Sequence, residues 1–140
     1  MPQLMRAIVT KDVISVDELS ELVNDPLCGA TVTFAGVVRN HDHGKEVAQL
    51  TYEIHPSAGD QIALISKRVI DSTDVVKVAL AHRYGQIAIG ETAFAVAVSA
   101  VHRESAFEIT SLLVNEIKAN LPIWKHQIFA DGSDEWVNTA

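Results

Sequence analysis

Cysteine is nearly absent from this chain, because Cys28 is the only thiol among its 140 residues. A single cysteine cannot form an intramolecular disulfide, so no disulfide framework supports the fold. A domain of this length can bury roughly 68–70% of the surface that its unfolded chain exposes, and it needs neither a disulfide nor a metal to fold. We therefore expect a single domain over residues 1–140.

Long apolar runs and an excess of basic charge are also missing. No run approaches the roughly 18 apolar residues of a membrane span, and Met1 to Thr10 lacks the apolar core and cleavage site of a secretory signal. The net charge is −7, with 18 acidic and 11 basic residues. Sequence-independent nucleic-acid binding rests on basic surface. We expect a cytoplasmic protein that binds neither membranes nor nucleic acids.

The signature motifs of several enzyme classes do not occur. There is no Gly-x-Ser-x-Gly elbow and no His-Glu-x-x-His helix, and the glycines at 85 and 90 lack the Lys-Ser/Thr pair of a P-loop.

The tract from Asn40 to Gly44 contains two histidines and an aspartate, but no second cluster accompanies it, so we interpret it as a polar loop and predict no metal site. Cys28 is interpreted as a small, partly buried thiol.

The hydrophobic pattern alternates between strand and helix periods. Strands are predicted at Arg6–Thr10, Gly29–Val38, Val47–Ile54, Val75–Ala81, Thr92–Val101, Ile123–Phe129 and Glu135–Val137. Ser15 and Ser105 are each followed three residues later by a glutamate, which predicts helices that begin after these capping residues. A third helix is predicted from Pro56 to about Asp71. The fold class is therefore α/β or α+β, a mixed sheet with helices packed on it.

Four basic residues, at three places in the chain, are candidates for chemistry. His102 and Arg103 precede the predicted start of a helix, where free N–H groups favour an anion, although for these two residues taken alone a charged pair at a strand end is the better explanation. Lys118 lies near a helix C-terminus, where a cation is favoured for structural reasons alone. Lys125 lies in an apolar strand, where it is either an inward acid/base group or a lysine extending to solvent.

Taken in order, the motifs form a recognisable series. They are Gly29-Ala30, Phe34-x-Gly36-x-Val38-Arg39-Asn40-His41, Leu50-x-Tyr52-Glu53, His82-Arg83-x-Gly85, His102-Arg103-x-x-Ala106-Phe107, Lys118-x-x-x-Pro122-Ile123-Trp124-Lys125, Asp131-Gly132 and Trp136-Val137. This series resembles the large-subunit family of molybdopterin synthase over nearly the whole chain from Gly29. Each motif alone is weak, but their order and spacing are specific.

The resemblance implies a fold, a reaction and partners. The fold would be an α/β hammerhead with a small additional sheet. The reaction would convert cyclic pyranopterin monophosphate into the dithiolene molybdopterin without a cofactor, with sulfur from a thiocarboxylate at the C-terminal Gly-Gly of a small, ubiquitin-like subunit. Two large subunits would form a homodimer within a heterotetramer. A non-catalytic module that binds anions or peptide tails on the same scaffold is the alternative.

The resemblance also implies roles for individual residues. The family's catalytic lysines fall on Lys118 and Lys125. Its substrate-binding positions fall on Val37, Val38, Arg39, His102, Arg103, Lys125, His126 and Gln127. The pair His126-Gln127 departs from the family, which commonly has a basic residue and a glutamate there.

Helix length adds an expectation about assembly. A straight helix that begins after Ser105 and reaches Lys118 is roughly 20 Å long. One pterin monophosphate is too short to contact both Arg103 and Lys118 across that length. Either two separate anion sites exist, or a second subunit supplies His102 and Arg103 to the pocket that contains Lys118. The dimer implied by the resemblance favours the shared site.

Overall fold

The computed structural model describes residues 1–138, in which nine strands and three helices form. The first half of the chain contains β1 (Gln3–Thr10), α1 (Val16–Leu22), β2 (Ala30–Val37), β3 (His41–Asp42), β4 (Lys45–Ile54) and α2 (Ala58–Ile70). The second half contains β5 (Val75–Arg83), β6 (Gly85–Ile87), β7 (Thr92–Ala100), α3 (Arg103–Asn120), β8 (Ile123–Phe129) and β9 (Asp134–Val137). Among these helices, none combines the length and apolar character needed to span a bilayer.

The first sheet has four strands in the order β1-β5-β7-β2. β1 and β5 are parallel, whereas β7 is antiparallel to both of its neighbours. β7 is buried along almost its whole length, because helices cover both faces of the sheet centre. β2 is an outer strand, and its residues alternate between half-buried and exposed positions. The edge of β2 is therefore accessible to a further strand.

The helices divide between the two faces of this sheet. α2 and α3 cover one face and enclose the larger core, in which Ile62, Ile65, Leu113 and Ile117 are almost completely buried. The short α1 covers the other face, where Leu19 and Val23 pack on alanines of β5 and β7. Small side chains on that face leave room for a helix to approach closely. One sheet thus supports two cores of unequal size.

The second sheet is built around β4. β3 and β6 pair with one edge of β4, β8 pairs with the other edge, and β9 extends the sheet beyond β8. The chain passes from β5 into β6 at Gly85, the first residue of β6. Its φ of +89° lies in the left-handed region that glycine adopts without strain. This sharp turn joins the two sheets, and a cleft opens where they meet.

The mixed α+β fold predicted from the sequence is confirmed, and three local expectations need correction. Ser15 caps α1 as predicted, with its Oγ accepting from the Glu18 N–H at 3.1 Å. Ser105 is not a cap, because α3 begins at Arg103 after an extended His102. The predicted polar loop contains the short strand β3, and the predicted connection between Gly85 and Gly90 contains β6.

Candidate active site

A cleft of about 180 Å³ lies at the junction of the two sheets. The end of β2 contributes Val37, and Val38 and Arg39 follow directly after the strand. α3 contributes Lys118 from its last turn, and β8 contributes Lys125 and Gln127. Six of the residues predicted from the sequence therefore meet in one place, although they come from three separate parts of the chain.

Strand alternation decides which side chains of β8 reach the cleft. Lys125 and Gln127 point inward, and Lys125 pairs across the sheet with Tyr52 of β4. His126 points to the opposite face, where its ring stacks on Trp136 at 4.2 Å and its Nε2 lies 2.8 Å from the Asp134 carboxylate. Since successive residues of a strand face opposite sides, His126 does not line the cleft of its own chain beside its two neighbours.

His102 and Arg103 do not line the cleft either. His102 precedes α3 and Arg103 is its first residue, whereas Lys118 lies in its last turn. The rise of a helix places Arg103 and Lys118 roughly 22 Å apart along the axis. Both residues at the far end are exposed to solvent. Within one chain, the structure therefore separates these two predicted residues from the other candidates.

Lys118 is the candidate whose electrostatic surroundings are most altered. Its side chain is still exposed to solvent, yet the neighbouring protein removes part of its hydration. This desolvation, together with the positive charge of Lys125, lowers the pKa of Lys118 below the ordinary lysine value of 10.5. A lysine with a lowered pKa gives up its proton more readily near neutral pH. Lys118 is therefore suited to proton transfer.

Asp42 is a cleft residue that sequence reasoning did not single out. It lies in β3, within the tract interpreted as a polar loop, and its side chain is only 15% exposed. Its Oδ2 accepts from Gln127 Nε2 at 2.8 Å, and its Oδ1 accepts from Arg39 Nη2 at 3.2 Å. The Gln127 bond, followed by the charges of His43, Lys125 and Arg39, holds the pKa of Asp42 below its ordinary value. The cleft thus contains a carboxylate among its cations.

Asp42, His43 and Glu135 also bring three potential metal ligands within 4.8 Å of one another. Asp42 is already bonded to Gln127 and Arg39, and Lys125 adds positive charge nearby. A metal cation would have to compete with these groups for the same carboxylate. The surroundings therefore disfavour a metal at this position.

The inner wall of the cleft is aromatic. His82 is completely buried, stacks on Phe94 at 5.1 Å between ring centres, and meets the edge of Tyr52 at 4.9 Å. Its Nδ1 lies 2.7 Å from the Arg83 carbonyl, an oxygen that can only accept, so Nδ1 carries the proton and donates. Its Nε2 has no hydrogen-bond partner within residues 1–138. The inner wall therefore contains a neutral imidazole.

Burial determines the charge state of these inner groups. Desolvation lowers the pKa of His82 from 6.5 to about 4, and the charge of Lys118 acts in the same direction. Desolvation also raises the pKa of Tyr52 to about 12. At neutral pH both rings are uncharged, so Arg39, Lys118, Lys125 and Asp42 set the charge of the cleft.

The lowered pKa of His82 predicts a loss of stability in acid. The unfolded chain takes up a proton near the ordinary histidine pKa, whereas the folded chain resists it down to about pH 4. Stability is therefore full above pH 6.5 and falls as the pH decreases, by about 2 kcal/mol between pH 7 and pH 5 from His82 alone. Urea denaturation at the two pH values measures this loss.

The matched variants are His82→Phe, which keeps an aromatic ring in the wall, and His41→Phe, at an exposed histidine. His82→Phe should reduce the dependence of unfolding on pH by about 2 kcal/mol over this range, whereas His41→Phe should retain the wild-type dependence. Equal pH dependence in the wild type and His82→Phe would show that His82 does not control acid stability.

Comparison with known proteins identifies the family. The family model described as MoaE protein matches residues 9–120. The molybdopterin synthase catalytic subunits of Bos taurus and Homo sapiens are both 38% identical to this chain, over 91% and 89% of its length. The chain spans 68% of the cattle protein and 66% of the human protein.

Solved structures agree with this assignment. Molybdopterin synthase from Staphylococcus aureus superimposes with a TM-score of 0.85 at 28% identity, covering 94% of this chain and 96% of that one. A chain from the Helicobacter pylori complex of subunits 1 and 2 of molybdopterin-converting factor shares the fold, with a TM-score of 0.67 at 21% identity over 98% of this chain and 88% of that one. From the extent of the family match and the identity to curated relatives, the chain belongs to the MoaE protein family, the family of molybdopterin synthase catalytic subunits.

Proposed function

We propose that this chain is a sulfurtransferase, the catalytic subunit that converts cyclic pyranopterin monophosphate into molybdopterin with sulfur from the C-terminal thiocarboxylate of a small, ubiquitin-like subunit. The observation that carries the proposal is the cleft in which Arg39, Lys118 and Lys125 converge on an otherwise acidic chain. Three cations in one cleft suit a substrate with a phosphate and a partner with an anionic tail. No cofactor takes part.

The sulfur has to come from outside the cleft. Cys28, the only thiol of the chain, lies before β2 and does not line the cleft. A thiocarboxylate on a partner meets this requirement, because its sulfur can attack a side-chain carbon of the pterin and displace the oxygen bound to that carbon. Water then cleaves the acyl–sulfur bond, which leaves the sulfur on the pterin and a carboxylate on the partner. A second thiocarboxylate repeats these steps at the neighbouring carbon, because a dithiolene contains two sulfur atoms. The related fold from Helicobacter pylori, described as part of a two-subunit complex, supports a small-subunit partner.

The two lysines take different roles in this proposal. Lys118, with its lowered pKa, exchanges protons with the reacting groups. Lys125 faces the same cleft from β8 and interacts electrostatically with the Asp42 carboxylate. Its positive charge lowers the pKa of Lys118 and attracts the anionic tail. Lys125 therefore acts on the reaction as a fixed cation, and Lys118 acts as the acid/base.

The size of the cleft favours a site completed by a second subunit. Its volume of about 180 Å³ is below the roughly 300–1,000 Å³ usual for small-molecule sites. His102 and Arg103, which the family resemblance assigns to the substrate, lie at the other end of α3. A second copy of the chain can provide the missing wall and these two residues together.

The exposed edge of β2 supports a way for that second copy to dock. The start of β2 lies beside the end of β7, where the Gly29 N–H donates to the Val101 carbonyl at 3.2 Å, directly before His102. The other end of β2 enters the cleft at Val37. If two β2 strands pair antiparallel about a two-fold axis, the start of each lies beside the end of the other. Each cleft then receives His102 and Arg103 from its partner.

An apolar groove beside β2 supports the same dimer. It runs between β2 and α3 and is lined by Phe34, Phe107 and Val114, among others. Phe107 is 61% exposed in the single chain. A large exposed aromatic next to an unpaired strand edge is unfavourable in water and is covered when the sheet continues into a second copy.

The decisive experiment is conversion in vitro. The purified chain, a small subunit ending in a Gly-Gly thiocarboxylate and cyclic pyranopterin monophosphate should together yield the dithiolene, whereas a small subunit with an ordinary carboxylate should not. The alternative, a non-catalytic module that binds anions or peptide tails, predicts a complex with the small subunit but no dithiolene. Complex formation without product would therefore overturn the proposed activity.

We expect Arg39→Lys and Arg103→Lys each to weaken binding of the pterin monophosphate by about tenfold. A guanidinium offers two parallel donors to a phosphate, and a lysine ammonium does not reproduce that geometry. Isothermal titration calorimetry with the substrate measures the change. Arg68→Lys, at an exposed position in the last turn of α2, is the matched control and should bind like the wild type. Unchanged affinity in both test variants would remove the arginines from the phosphate site.

A further inference from the structure

The turn between β6 and β7 is closed by a side chain as well as by the backbone. The Glu91 N–H donates to the Ala88 carbonyl at 3.0 Å, and the Ala88 N–H donates to Oε1 of Glu91 at 3.1 Å. Gly90 has a φ of +87° and occupies the third position of this turn, where a left-handed backbone favours glycine. The Glu91 carboxylate therefore helps to hold the turn that carries it.

The same turn holds the peptide bond that leads into Arg39. Regular pairing of β2 with β7 is interrupted at the last residue of β2, immediately before Val38. Beyond this irregularity, the Val38 N–H donates to the Glu91 carbonyl at 3.0 Å, and the Gly90 N–H donates to the Val38 carbonyl at 2.8 Å. The Val38 carbonyl belongs to the peptide bond between Val38 and Arg39. The turn therefore fixes the point from which the Arg39 side chain extends.

A buried cation connects this turn to the first sheet. Arg83 is the last residue of β5, and its side chain is only 10% exposed. Its Nη1 lies 3.6 Å from Oε1 of Glu91, and its Nη2 donates to the Lys11 carbonyl at 3.4 Å. Among residues 1–138, no other carboxylate lies within ion-pair distance of this guanidinium. Because a buried charge is costly unless it is paired, Arg83 favours the position that the Glu91 carboxylate occupies.

We propose that Glu91 is a positioning residue for the reaction, because its carboxylate links Arg83 in the first sheet to the turn that places Arg39 at the cleft. The proposal rests on the function proposed above, in which Arg39 binds the substrate phosphate. Glu91 is not among the residues that line the cleft, so it acts through the backbone of Arg39. The parallel hydrogen bonds of a guanidinium to phosphate depend on direction as well as distance, and a displaced Arg39 loses part of both.

Glu91→Gln should weaken binding of cyclic pyranopterin monophosphate by about fivefold. The amide keeps an oxygen that accepts from the Ala88 N–H but loses the charge that pairs with Arg83. Arg83→Met removes the other partner of the ion pair together with its buried charge, and it should weaken binding to a similar extent. Isothermal titration calorimetry of each variant with the substrate measures the change, and thermal denaturation confirms that each variant folds.

Asp25 offers a matched control at the other end of β5. Its carboxylate also accepts from a nearby backbone N–H, that of Leu27 at 2.8 Å, and also pairs with a cation of β5, Lys77, at 3.3 Å. Neither Asp25 nor Lys77 lines the cleft. Asp25→Asn therefore removes an equivalent ion pair and should bind the substrate like the wild type.

A double-mutant cycle tests whether the effect passes through Arg39. In an Arg39→Ala background, adding Glu91→Gln should cause no further loss of affinity, because no guanidinium remains to be placed. An equal loss of affinity with and without Arg39 would mean that Glu91 shapes the cleft in some other way, and it would overturn the positioning role. A Glu91→Gln protein that melts at a lower temperature but binds like the wild type would show a purely structural ion pair, which also overturns the proposal.

The titration contains no small subunit and needs no turnover, so its outcome is separate from that of the conversion assay. If Glu91→Gln weakens binding through Arg39 but the wild type forms no dithiolene, the proposed activity fails and the positioning role stands. If the wild type forms dithiolene and Glu91→Gln binds the substrate equally well, the activity stands and the positioning role fails. A wild type that does not bind the substrate would overturn both.

Discussion

Lys118→Ala is expected to lower the rate of dithiolene formation by about 10²–10⁴-fold, the usual contribution of a general acid/base. Lys118 is the cleft lysine whose pKa is lowered by desolvation and by Lys125, so its ammonium gives up a proton more readily than an ordinary lysine. The side chain is exposed at the last turn of α3, and truncation there should cost little stability. Single-turnover kinetics with the thiocarboxylated small subunit measures the rate.

The chain offers a matched control in Lys67, which is also an exposed lysine in the last turn of a helix but lies in α2 and pairs with Asp71 at 3.2 Å. Lys67→Ala should react at the wild-type rate, and both variants should show wild-type urea denaturation. A Lys118→Ala protein that is folded and reacts at close to the full rate would mean that another group transfers the proton.

Mixing two inactive proteins should restore activity. Lys118→Ala removes the acid/base group from the cleft of its own chain. If the site is shared, Arg103→Ala removes a phosphate-binding group from the cleft of the partner subunit. In a heterodimer of these variants one cleft carries both changes and the other carries neither. After random exchange of equal amounts, half of the dimers are mixed, and about one quarter of all clefts should be intact. The recovered rate should approach that fraction of the wild-type value.

Subunit exchange has to be verified independently, for example by native mass spectrometry of differently tagged chains. Mixing Lys118→Ala with Lys125→Ala is the negative control, because each of these changes damages the cleft of the chain that carries it. Both clefts of the mixed dimer therefore remain damaged. Complete exchange without recovery in the Lys118 and Arg103 mixture would show that each site is built from one chain.

Much of the fold follows from local patterns. The strand from Ile123 to Phe129 and the capped start of α1 were predictable because alternation and the capping motif at Ser15 are encoded within a few residues. The start of α3 was not. Ser105 and Glu108 satisfy the same motif, but α3 begins three residues earlier than the motif predicts, at Arg103 after the N-cap His102. A capping motif describes compatible side chains and does not exclude an earlier start.

The candidate site shows a similar limit. Motif matching placed Arg39, Lys118 and Lys125 together, and the cleft contains all three. It also grouped His126 with Lys125, although adjacent residues of a strand point to opposite faces. Asp42 was missed because its importance depends on a hydrogen bond to Gln127, 85 positions away in sequence. No local sequence pattern predicts such a contact, because it forms only when β3 and β8 both pair with β4.

The third helix imposes a constraint on how this sequence can diverge. If its first residue serves one pocket and its last turn serves another, α3 acts as a fixed spacer between two reaction centres. Inserting one residue would rotate everything beyond it by about 100° and advance it by about 1.5 Å, which would turn Lys118 away from its cleft. Inserting seven would nearly restore the direction but lengthen the spacer by about 10 Å. Substitutions can therefore accumulate along the exposed side of α3, whereas insertions and deletions between Arg103 and Lys118 would disturb both centres at once.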